Sequence, residues 1–231
     1  MRKWQLEESL QSVEVFREPN YMLEQYPTSA HLASCILHTA SNNGDIEGKC
    51  VADIGCGTSM LSIAAALSGS SYTVGFDIDL NAINVARENA KSHEVNIDYV
   101  HVNVNDLANE TYCKREFFDT VIMNPPFGTR NKGIDVTFLR AALNISNHAV
   151  YSLHKTSTRD FLVKKINDWG YNVTVVAQLV FDIPAMYKFH TKQSADIEVD
   201  LLYIEKGVPI TKQDSGRNGK RKPTSTKQGR R

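Results

Sequence analysis

Short apolar segments alternate with amphipathic segments along this chain from about residue 49 onward. Apolar runs rich in β-branched residues are typical of buried strands, and the segments between them carry apolar residues at helical spacing. Strands that alternate with helices form a largely parallel sheet covered on both faces, so the sequence predicts a doubly wound α/β fold. The predicted strands are 49–54, 72–76, 97–102, 117–123, 149–153, 171–181 and 197–204, and the predicted helices between them are 59–67, 81–91, 135–147 and 158–169.

The last two predicted strands differ from the others in how they are connected. The segment between Phe181 and Ile197 contains Pro184 and has room for no helix of useful length. Parallel neighbours need a long crossover, usually a helix, whereas antiparallel neighbours do not. We therefore expect the chain to finish with an antiparallel hairpin beside a parallel sheet.

The first predicted strand runs directly into Gly55-Cys56-Gly57 and then into a helix. Glycines here let the backbone turn sharply and approach a ligand closely at a helix N-terminus. A dinucleotide fingerprint would have a third glycine where this chain has Met60, which disfavours a dehydrogenase. Asp77 ends the second strand, about twenty residues after the glycines, where a carboxylate can accept hydrogen bonds from both hydroxyls of a ribose.

The fourth predicted strand ends abruptly at Asn124-Pro125-Pro126-Phe127-Gly128. Two adjacent prolines exclude helix, remove two backbone donors and hold Asn124 and Phe127 on rigid backbone. Open parallel sheets bind ligands outside the carboxyl ends of their strands. We therefore expect an active site here, although an ordinary turn would also explain a Pro-Pro pair.

The residues before the first strand predict two helices that pack on the domain. The first spans about residues 4–16 and the second about 29–40, judged by the spacing of apolar residues. Pro27 excludes helix just before it, and Thr28 is placed to cap the second helix. Gln25 and Thr28 lie in the connection, where turn and capping chemistry alone would explain them.

Charge divides the chain into a body and a tail. The net charge is zero, yet nine of the 26 Lys and Arg residues lie from Lys206 onward, against one acid, Asp214. A basic segment with almost no apolar residues cannot bury enough surface to fold. We expect one domain over residues 1–205 and a disordered basic tail over 206–231, which could contact phosphates or act as a nuclear address.

Composition excludes several classes of protein. No apolar run approaches the roughly 20 residues that cross a bilayer, and the first residues lack the apolar core of a signal peptide. The four cysteines form no C-x-x-C pair, and no His lies at metal-ligand spacing from them. We therefore expect reduced thiols, no metal site and a nuclear or cytoplasmic location.

Three motifs together resemble those of class I S-adenosylmethionine-dependent methyltransferases: Asp53-Ile54-Gly55-Cys56-Gly57, Asp77, and Asn124-Pro125-Pro126-Phe127. The last motif is that of the branch that methylates planar nitrogens. The segments 24–28, 124–129, 151–155 and 187–190 are more narrowly similar to the eukaryotic enzymes that make N6-methyladenosine in small-subunit (18S) ribosomal RNA. The resemblance covers about residues 23–205 and implies a seven-stranded sheet of order 3-2-1-4-5-7-6 with the last strand antiparallel.

The resemblance also implies which residues bind S-adenosylmethionine. Asp77 would bind the ribose, and Asn103 with Val104 would lie at the adenine, where related sequences usually have Asp. The asparagine oxygen can still accept a hydrogen bond from the adenine amine, so we expect an altered affinity and a retained function. The other residues implied for the cofactor are Gln25, Thr28, Asp53, Gly55, Gly57, Thr58 and Met60.

For catalysis the resemblance assigns the four residues of the Asn-Pro-Pro-Phe motif. The side-chain oxygen of Asn124 and the carbonyl of Pro125 would accept the two hydrogens of an adenine N6 amine. Phe127 would stack on the flipped base, and Pro126 would stiffen the turn. No strong base is required, because the methyl donor is a sulfonium and catalysis is largely positioning.

Cations interleaved with aromatic residues predict a rim that binds single-stranded RNA. The clearest such segment lies between the last two strands, and two further loops are expected to share its rim. The residues assigned to this rim are Tyr187, Lys188, Phe189 and His190 in that segment, and Arg130, Lys132, His154 and Lys155 on the two loops.

The resemblance further implies a small zinc-binding activator protein as a partner. In the implied strand order the third strand, Ile97 to Val102, is an exposed edge with large apolar side chains. Exposed edges invite strand addition, so we expect a heterodimer through this strand and a lone chain of poor solubility.

Two other functions are compatible with the same residues. Asn-Pro-Pro chemistry also methylates the side-chain amide of a protein glutamine, and a catalytically idle chain could keep the fold as an RNA-binding scaffold. The cation–aromatic segment favours RNA over a protein substrate, and an intact Asn124 and Phe127 favour an enzyme.

Overall fold

Seven strands form a single sheet in the computed structural model, which describes residues 1–109, 117–184 and 194–206. The strands are β1 Cys50–Ile54, β2 Tyr72–Asp77, β3 Asp98–His101, β4 Phe118–Met123, β5 Ser146–Lys155, β6 Tyr171–Pro184 and β7 Ser194–Lys206. Their order is β3-β2-β1-β4-β5-β7-β6, and β7 runs antiparallel to both of its neighbours. The predicted sheet order and its antiparallel last strand are confirmed.

Helices cover both faces of this sheet. The α-helices in the described ranges are α1 Lys3–Leu10, α2 Ala30–Asn42, α3 Met60–Leu67, α4 Leu80–Ser92, α5 Val104–Ala108, α6 Ile134–Ile145 and α7 Arg159–Asp168. Side chains alternate across a strand, so Val51 packs in the core under α1, α2 and α3, and Ala52 packs in the core under α5, α6 and α7. None of these helices is long and apolar enough to cross a membrane.

The sheet topology positions the ends of three strands around one site. Strand β1 is parallel to both of its neighbours, β2 and β4, so Ile54, Asp77 and Met123 all lie at the same edge. Beyond these ends the chain leaves the sheet in different directions, because β1 lies between β2 and β4 in the order. Such a switch point opens a crevice, which is where a ligand is expected in an open α/β sheet.

The N-terminal region differs from its predicted structure. Helix α1 ends at Leu10, although the apolar spacing predicted helix to about residue 16. The chain instead turns onto α4, where Asn89 accepts from the backbone N–H of Glu14 and donates to its carbonyl, both at 2.9 Å. The predicted cap was also wrong, because Ser29 caps α2 by accepting from the N–H of Leu32 at 3.2 Å. Thr28 is left for another role.

Strand β3 is an edge of the sheet, as the implied order required. It is shorter than predicted, and its apolar side chains are not equally exposed. Tyr99 turns inward, where its hydroxyl contacts the hydroxyl of Ser59 at 2.5 Å. Val100 is 41% exposed and lies in a surface groove with Tyr72 and Phe117, which are 48% and 61% exposed. The edge therefore carries an apolar surface on one face.

Candidate active site

One cavity lies at the carboxyl ends of β1, β2 and β4, under the connection between the first two helices. Most of the residues implied for the cofactor line it, together with two residues of the Asn-Pro-Pro-Phe motif. Those residues are Gln25, Thr28, Gly55, Gly57, Thr58, Met60, Asp77, Asn103, Val104, Asn124 and Pro126. The structure thus brings together side chains that are 101 positions apart in the sequence, from Gln25 to Pro126.

The wall next to β1 is bare backbone. Gly55 and Gly57 both adopt positive φ, 74° and 52°, in the left-handed region that glycine tolerates best. A Cβ atom at Gly55 would lie 2.9 Å from the ring of Phe138, and one at Gly57 would lie 2.8 Å from the ring of Phe16. Side chains are therefore excluded where a ligand must approach the main chain.

Asp77, at the end of β2, binds residues 55–58, which we call the glycine turn. Its carboxylate accepts the backbone N–H of Gly57 at 2.8 Å and that of Asp79 at 2.9 Å. Burial raises the pKa of Asp77 above its ordinary value, and these two N–H donors oppose the shift. Each carboxylate oxygen has a further lone pair, so Asp77 can also accept from a ligand hydroxyl in the cavity.

Asn103 lies at the end of β3 and caps the short helix α5. Its side-chain oxygen accepts the backbone N–H of Asn105 at 3.0 Å. The same oxygen was expected to face an adenine amine, so part of its accepting capacity is already used. Val104 adds an apolar wall to the same end of the cavity.

Asp53 is placed differently from the other residues implied for the cofactor. It does not line the cavity but lies buried beneath it, where one carboxylate oxygen accepts the hydroxyl of Ser62 at 2.5 Å. The other oxygen is buried without a hydrogen-bond partner among the described residues. Burial raises the pKa of Asp53 to about 7. Direct contact between Asp53 and a ligand is therefore not part of this geometry.

The connection between α1 and α2 closes one side of the cavity. Gln25 is buried, its side-chain oxygen accepts the N–H of Asn20 at 2.6 Å, and its amide donates to the carboxylate of Asp79 at 2.7 Å. Thr28 accepts from the side-chain amide of Asn124 at 3.0 Å. Both residues thus contact strand-end residues across the cavity, which turn and capping chemistry alone would not require.

Residues 124–131 form a loop that we call the NPPF loop. The amide nitrogen of Asn124 donates to Thr28, and within the described ranges no group donates to its amide oxygen, which can therefore accept from another molecule. Phe127 lies beside the cavity and not in its lining, with its ring edge-to-face against Phe181 at a centroid distance of 5.8 Å. The ammonium of Lys155 lies 5.8 Å from the same ring. The aromatic ring is therefore held in place before any substrate binds.

Apart from His154, the residues predicted for an RNA rim divide into three groups. Arg130 is exposed on the NPPF loop and Lys132 is exposed just after it, and the guanidinium of Arg130 lies 3.7 Å from the ring centroid of Tyr21. Lys155 is half-buried beside Phe127. Tyr187, Lys188, Phe189 and His190 lie outside the described residues.

His154 was wrongly assigned to this rim. The prediction ended the fifth strand at Leu153, whereas β5 continues to Lys155 because β7 pairs with it throughout. His154 is 1% exposed and hydrogen bonds to the hydroxyl of Ser152 at 2.7 Å. Burial lowers its pKa to about 3, so the ring is neutral and faces the protein interior.

Three residues at the site were not found from the sequence. Phe16 and Phe138 line the cavity against the two glycines. The carboxylate of Glu24 accepts the backbone N–H of Phe127 at 3.1 Å and that of Arg130 at 2.8 Å. No local pattern points to Phe16 or Phe138, since each acts on a residue far away in the sequence. The one local signal is the position of Glu24 just before Gln25 in a motif segment.

Comparison with known proteins places this geometry in a family. The model of the methyltransferase small domain matches residues 28–156. The chain is 51% identical over 205 residues to the rRNA N(6)-adenosine-methyltransferase of Danio rerio, covering 87% of this chain and 98% of that protein. It is 50% identical over 206 residues to the enzyme of the same name in Drosophila melanogaster, covering 88% and 96%.

A solved structure has the same architecture over nearly the whole chain. It is a Pyrococcus horikoshii protein provisionally described as an RNA methyltransferase, with a TM-score of 0.80 and 35% sequence identity. The match covers 90% of this chain and 99% of that one. The glycine turn and the NPPF loop lie within the residues that match the family, whereas the cavity residues from Phe16 to Pro27 precede them.

Proposed function

This chain belongs to the methyltransferase small domain family, and from that premise we propose that it methylates the N6 amine of an adenosine in small-subunit ribosomal RNA. It is an S-adenosylmethionine-dependent enzyme, as its close relatives are. Two of these relatives are named as rRNA N(6)-adenosine-methyltransferases. The observation that carries the proposal is Asn124, an amide at the end of β4 that donates to Thr28 and whose oxygen accepts from no group among the described residues.

The residues of the cavity fit S-adenosylmethionine. Gly55 and Gly57 offer backbone that no side chain covers. Asp77, on the adjacent strand β2, offers a carboxylate that can bind a ribose. Val104 and Asn103 would lie at the adenine. When bound, the cofactor supplies a methyl group on a sulfonium, which is electrophilic enough that positioning of the acceptor is the main requirement.

Asn124 and Pro125 would orient the acceptor amine. The carbonyl of Pro125 can accept a hydrogen bond, and its nitrogen has no N–H that could donate to the substrate. The hydrogen bond to Thr28 holds the Asn124 amide in one orientation. Accepting both amine hydrogens shifts electron density onto nitrogen and leaves its lone pair directed at the methyl group. The nitrogen would gain the methyl group as the methyl–sulfur bond breaks, and it would lose one proton to water, so no strong base is needed in the site.

Phe127 would stack on the flipped adenine. Its ring packs edge-to-face against Phe181, which fixes the orientation of the aromatic side chain that we assign to the base. Stacking of a base on an aromatic side chain contributes on the order of 1 to 3 kcal/mol. Lys155 beside this ring, and Arg130 over Tyr21, place cations where an RNA backbone would pass. These cation–aromatic pairs favour RNA over a protein glutamine.

We further propose that a small zinc-binding activator covers the edge strand β3. The apolar surface around Val100 and Phe117 is next to the outer side of β3, where no further strand pairs among the described residues, and this combination favours strand addition. The lone chain is then expected to be poorly soluble. A soluble, monodisperse and fully active chain expressed without a partner would contradict this part of the proposal.

Mass spectrometry of methylated nucleosides tests the substrate. The purified enzyme and S-adenosylmethionine are incubated with small-subunit ribosomal RNA, large-subunit ribosomal RNA or a release-factor protein. We expect N6-methyladenosine to form in the small-subunit RNA alone. Methylation of the large-subunit RNA would show that the proposed RNA is the wrong one, and methylation of glutamine in the protein would show that the substrate is a protein. Binding of small-subunit RNA without any methyl transfer would indicate an idle scaffold.

A further inference from the structure

Two adjacent side chains in the connection between α1 and α2 bind opposite sides of the cavity. Gln25 donates to Asp79, two residues beyond the carboxylate that holds the glycine turn. Glu24 binds the NPPF loop instead, accepting the backbone N–H groups of Phe127 and Arg130. Segment 20–28 is therefore a bridge between the part of the site that fits the cofactor and the part that would hold the substrate.

The backbone at Glu24 is held in an uncommon conformation. Its φ of 52° and ψ of 41° lie in the left-handed region, and it follows a short 3-10 turn over Tyr21–Leu23. The turn is capped by Asn20, whose side chain accepts the N–H of Met22 at 2.9 Å. A non-glycine residue stays in this region only when its surroundings hold it there, and such residues concentrate at functional sites.

The NPPF loop has a specific need for an acceptor such as Glu24. Pro125 and Pro126 have no backbone N–H, so Phe127 carries the first donor after Asn124. The loop lies outside strands and helices, so its donors have no ladder partner. A carboxylate forms stronger hydrogen bonds than a neutral acceptor and can bind two N–H groups at once. Glu24 thus fixes the backbone that carries the Asn124 amide and the Phe127 ring.

We propose that Glu24 is a positioning residue that couples cofactor binding to the conformation of the NPPF loop. Cofactor bound between the glycine turn and Gln25 restricts the motion of segment 20–28. Because Glu24 then stays in place, its hydrogen bonds to the amides of Phe127 and Arg130 open less often. The rate effect of this coupling rests on the proposed methyl transfer to RNA. The coupling itself concerns the cofactor alone and can be measured without any substrate.

Amide hydrogen exchange measures the coupling directly. In the full-length chain, with its activator co-expressed if solubility requires it, S-adenosylmethionine should slow exchange at Phe127 and Arg130 by about 10-fold. In Glu24→Gln, which keeps the shape but replaces one acceptor oxygen by a donor, exchange at both amides should be faster, and the cofactor should slow it less than about 2-fold. Glu18→Gln, the same change at an exposed residue of the same region, is the control and should behave as the wild type.

Kinetics provides the second readout. Glu24→Gln should lower kcat by about 10- to 100-fold, because misplacement of reacting groups by an ångström has effects of that size. The KM for RNA and the Kd for S-adenosylmethionine should stay within about 3-fold, because the glycine turn and Asp77, which would hold the cofactor, are unchanged in this variant. Glu24→Asp keeps the charge but is one methylene shorter, so it should reach one amide and show an intermediate kcat.

Three results would overturn the proposal. They are unchanged exchange at Phe127 and Arg130 in Glu24→Gln, a cofactor effect on exchange that persists in that variant, or an unchanged kcat. A thermal unfolding temperature equal to that of the wild type shows that the variant is folded. If the wild type transfers no methyl group to ribosomal RNA, the proposed substrate fails, while the exchange data still decide whether Glu24 couples the two parts of the site.

Discussion

The glycine turn, residues 55–58, and the NPPF loop flank the same cavity but are held in place by different means. The turn is held by the neighbouring strand, since Gly55 donates to the carbonyl of Phe76 at 2.7 Å and Gly57 donates to Asp77 at 2.8 Å. The loop is held by Glu24 and by Thr28 through side-chain contacts. The glycine turn, one wall of the cavity, is thus held by the sheet, whereas the NPPF loop, the other wall, is held by the N-terminal segment.

This difference separates binding of the cofactor from catalysis. Changes at the strand-held wall should alter affinity for S-adenosylmethionine, whereas changes at the NPPF loop should alter the rate of transfer. For each variant below we therefore state which quantity should change, Kd, KM, kcat or stability, and by how much.

The largest effect is expected for Asn124→Ala. The variant loses the amide oxygen that would accept from the substrate amine, so kcat should fall by about 10³-fold, as when a single preorganised hydrogen-bonding group is removed from other active sites. The Kd for S-adenosylmethionine, measured by calorimetry, should stay within about 3-fold because the glycine turn and Asp77 are unchanged. The control is Asn84→Ala, on the exposed face of α4. Undiminished transfer would refute the assigned role of Asn124.

Asp77→Asn should affect the other wall. Asparagine has one acceptor oxygen where Asp77 uses two, so the variant must place an amide donor against the N–H of Gly57 or Asp79. We expect the Kd for S-adenosylmethionine to rise about 30-fold, with kcat at saturating cofactor within about 3-fold. Asp106→Asn, an exposed acid in the first turn of α5, is the matched control. A lower kcat with an unchanged Kd would contradict the division between the two walls.

The same division explains what could be predicted from the sequence. Strand-held features were predictable, because hydrophobic periodicity sets the strands and parallel strands end at one edge, which brings Gly57, Asp77 and Asn124 together. Features held by distant side chains were not. Glu24 acts on amides more than 100 positions away, and no local pattern indicates a contact of that length.

The end of β5 shows why one assigned residue was wrong. His154 follows an apolar stretch and precedes Lys155, a pattern that suggests the start of a polar loop. Pairing with β7 instead extends the strand by two residues and places His154 opposite Asp200. Asp200 is itself buried and bound by the guanidinium of Arg159 at 2.6 Å, so this stretch is an interior polar cluster. Register with an antiparallel neighbour cannot be derived from one strand alone.

A pH experiment tests the buried position of His154. In the folded chain it takes up a proton only near pH 3, whereas an unfolded histidine does so near pH 6.5. Between these values the unfolded state binds the extra proton, so stability is lost as pH falls below 6.5. Relative to pH 7, the free energy of unfolding at pH 5 should fall by roughly 2 kcal/mol more in the wild type than in His154→Gln.

The comparison between variants removes other titrating groups from this experiment. Asp53 has a raised pKa in the folded chain, so it favours the folded state as pH falls from about 7, the opposite sign to His154. Its contribution is the same in both proteins and cancels in the difference. Denaturant unfolding at the two pH values gives the numbers, and His38→Gln, at an exposed histidine, should show the wild-type difference. Equal pH dependence in the wild type and His154→Gln would mean that His154 is accessible, as first predicted.

The smallest effect is expected at the rim of the NPPF loop. Lys155 lies close to the Phe127 ring and is half-buried, so Lys155→Met removes the charge while keeping most of the apolar stem. The KM for ribosomal RNA should rise about 3- to 5-fold. The slope of the logarithm of the binding constant against the logarithm of salt concentration should become shallower by about 1, as expected for the loss of one phosphate contact. Because Lys155 does not hold the loop backbone, kcat should stay within about 2-fold. Lys164→Met, an exposed lysine on α7, provides the same change away from the site and should alter neither value. A large loss of kcat in Lys155→Met alone would assign this cation to the positioning of Phe127, and the NPPF loop would then be held from both sides.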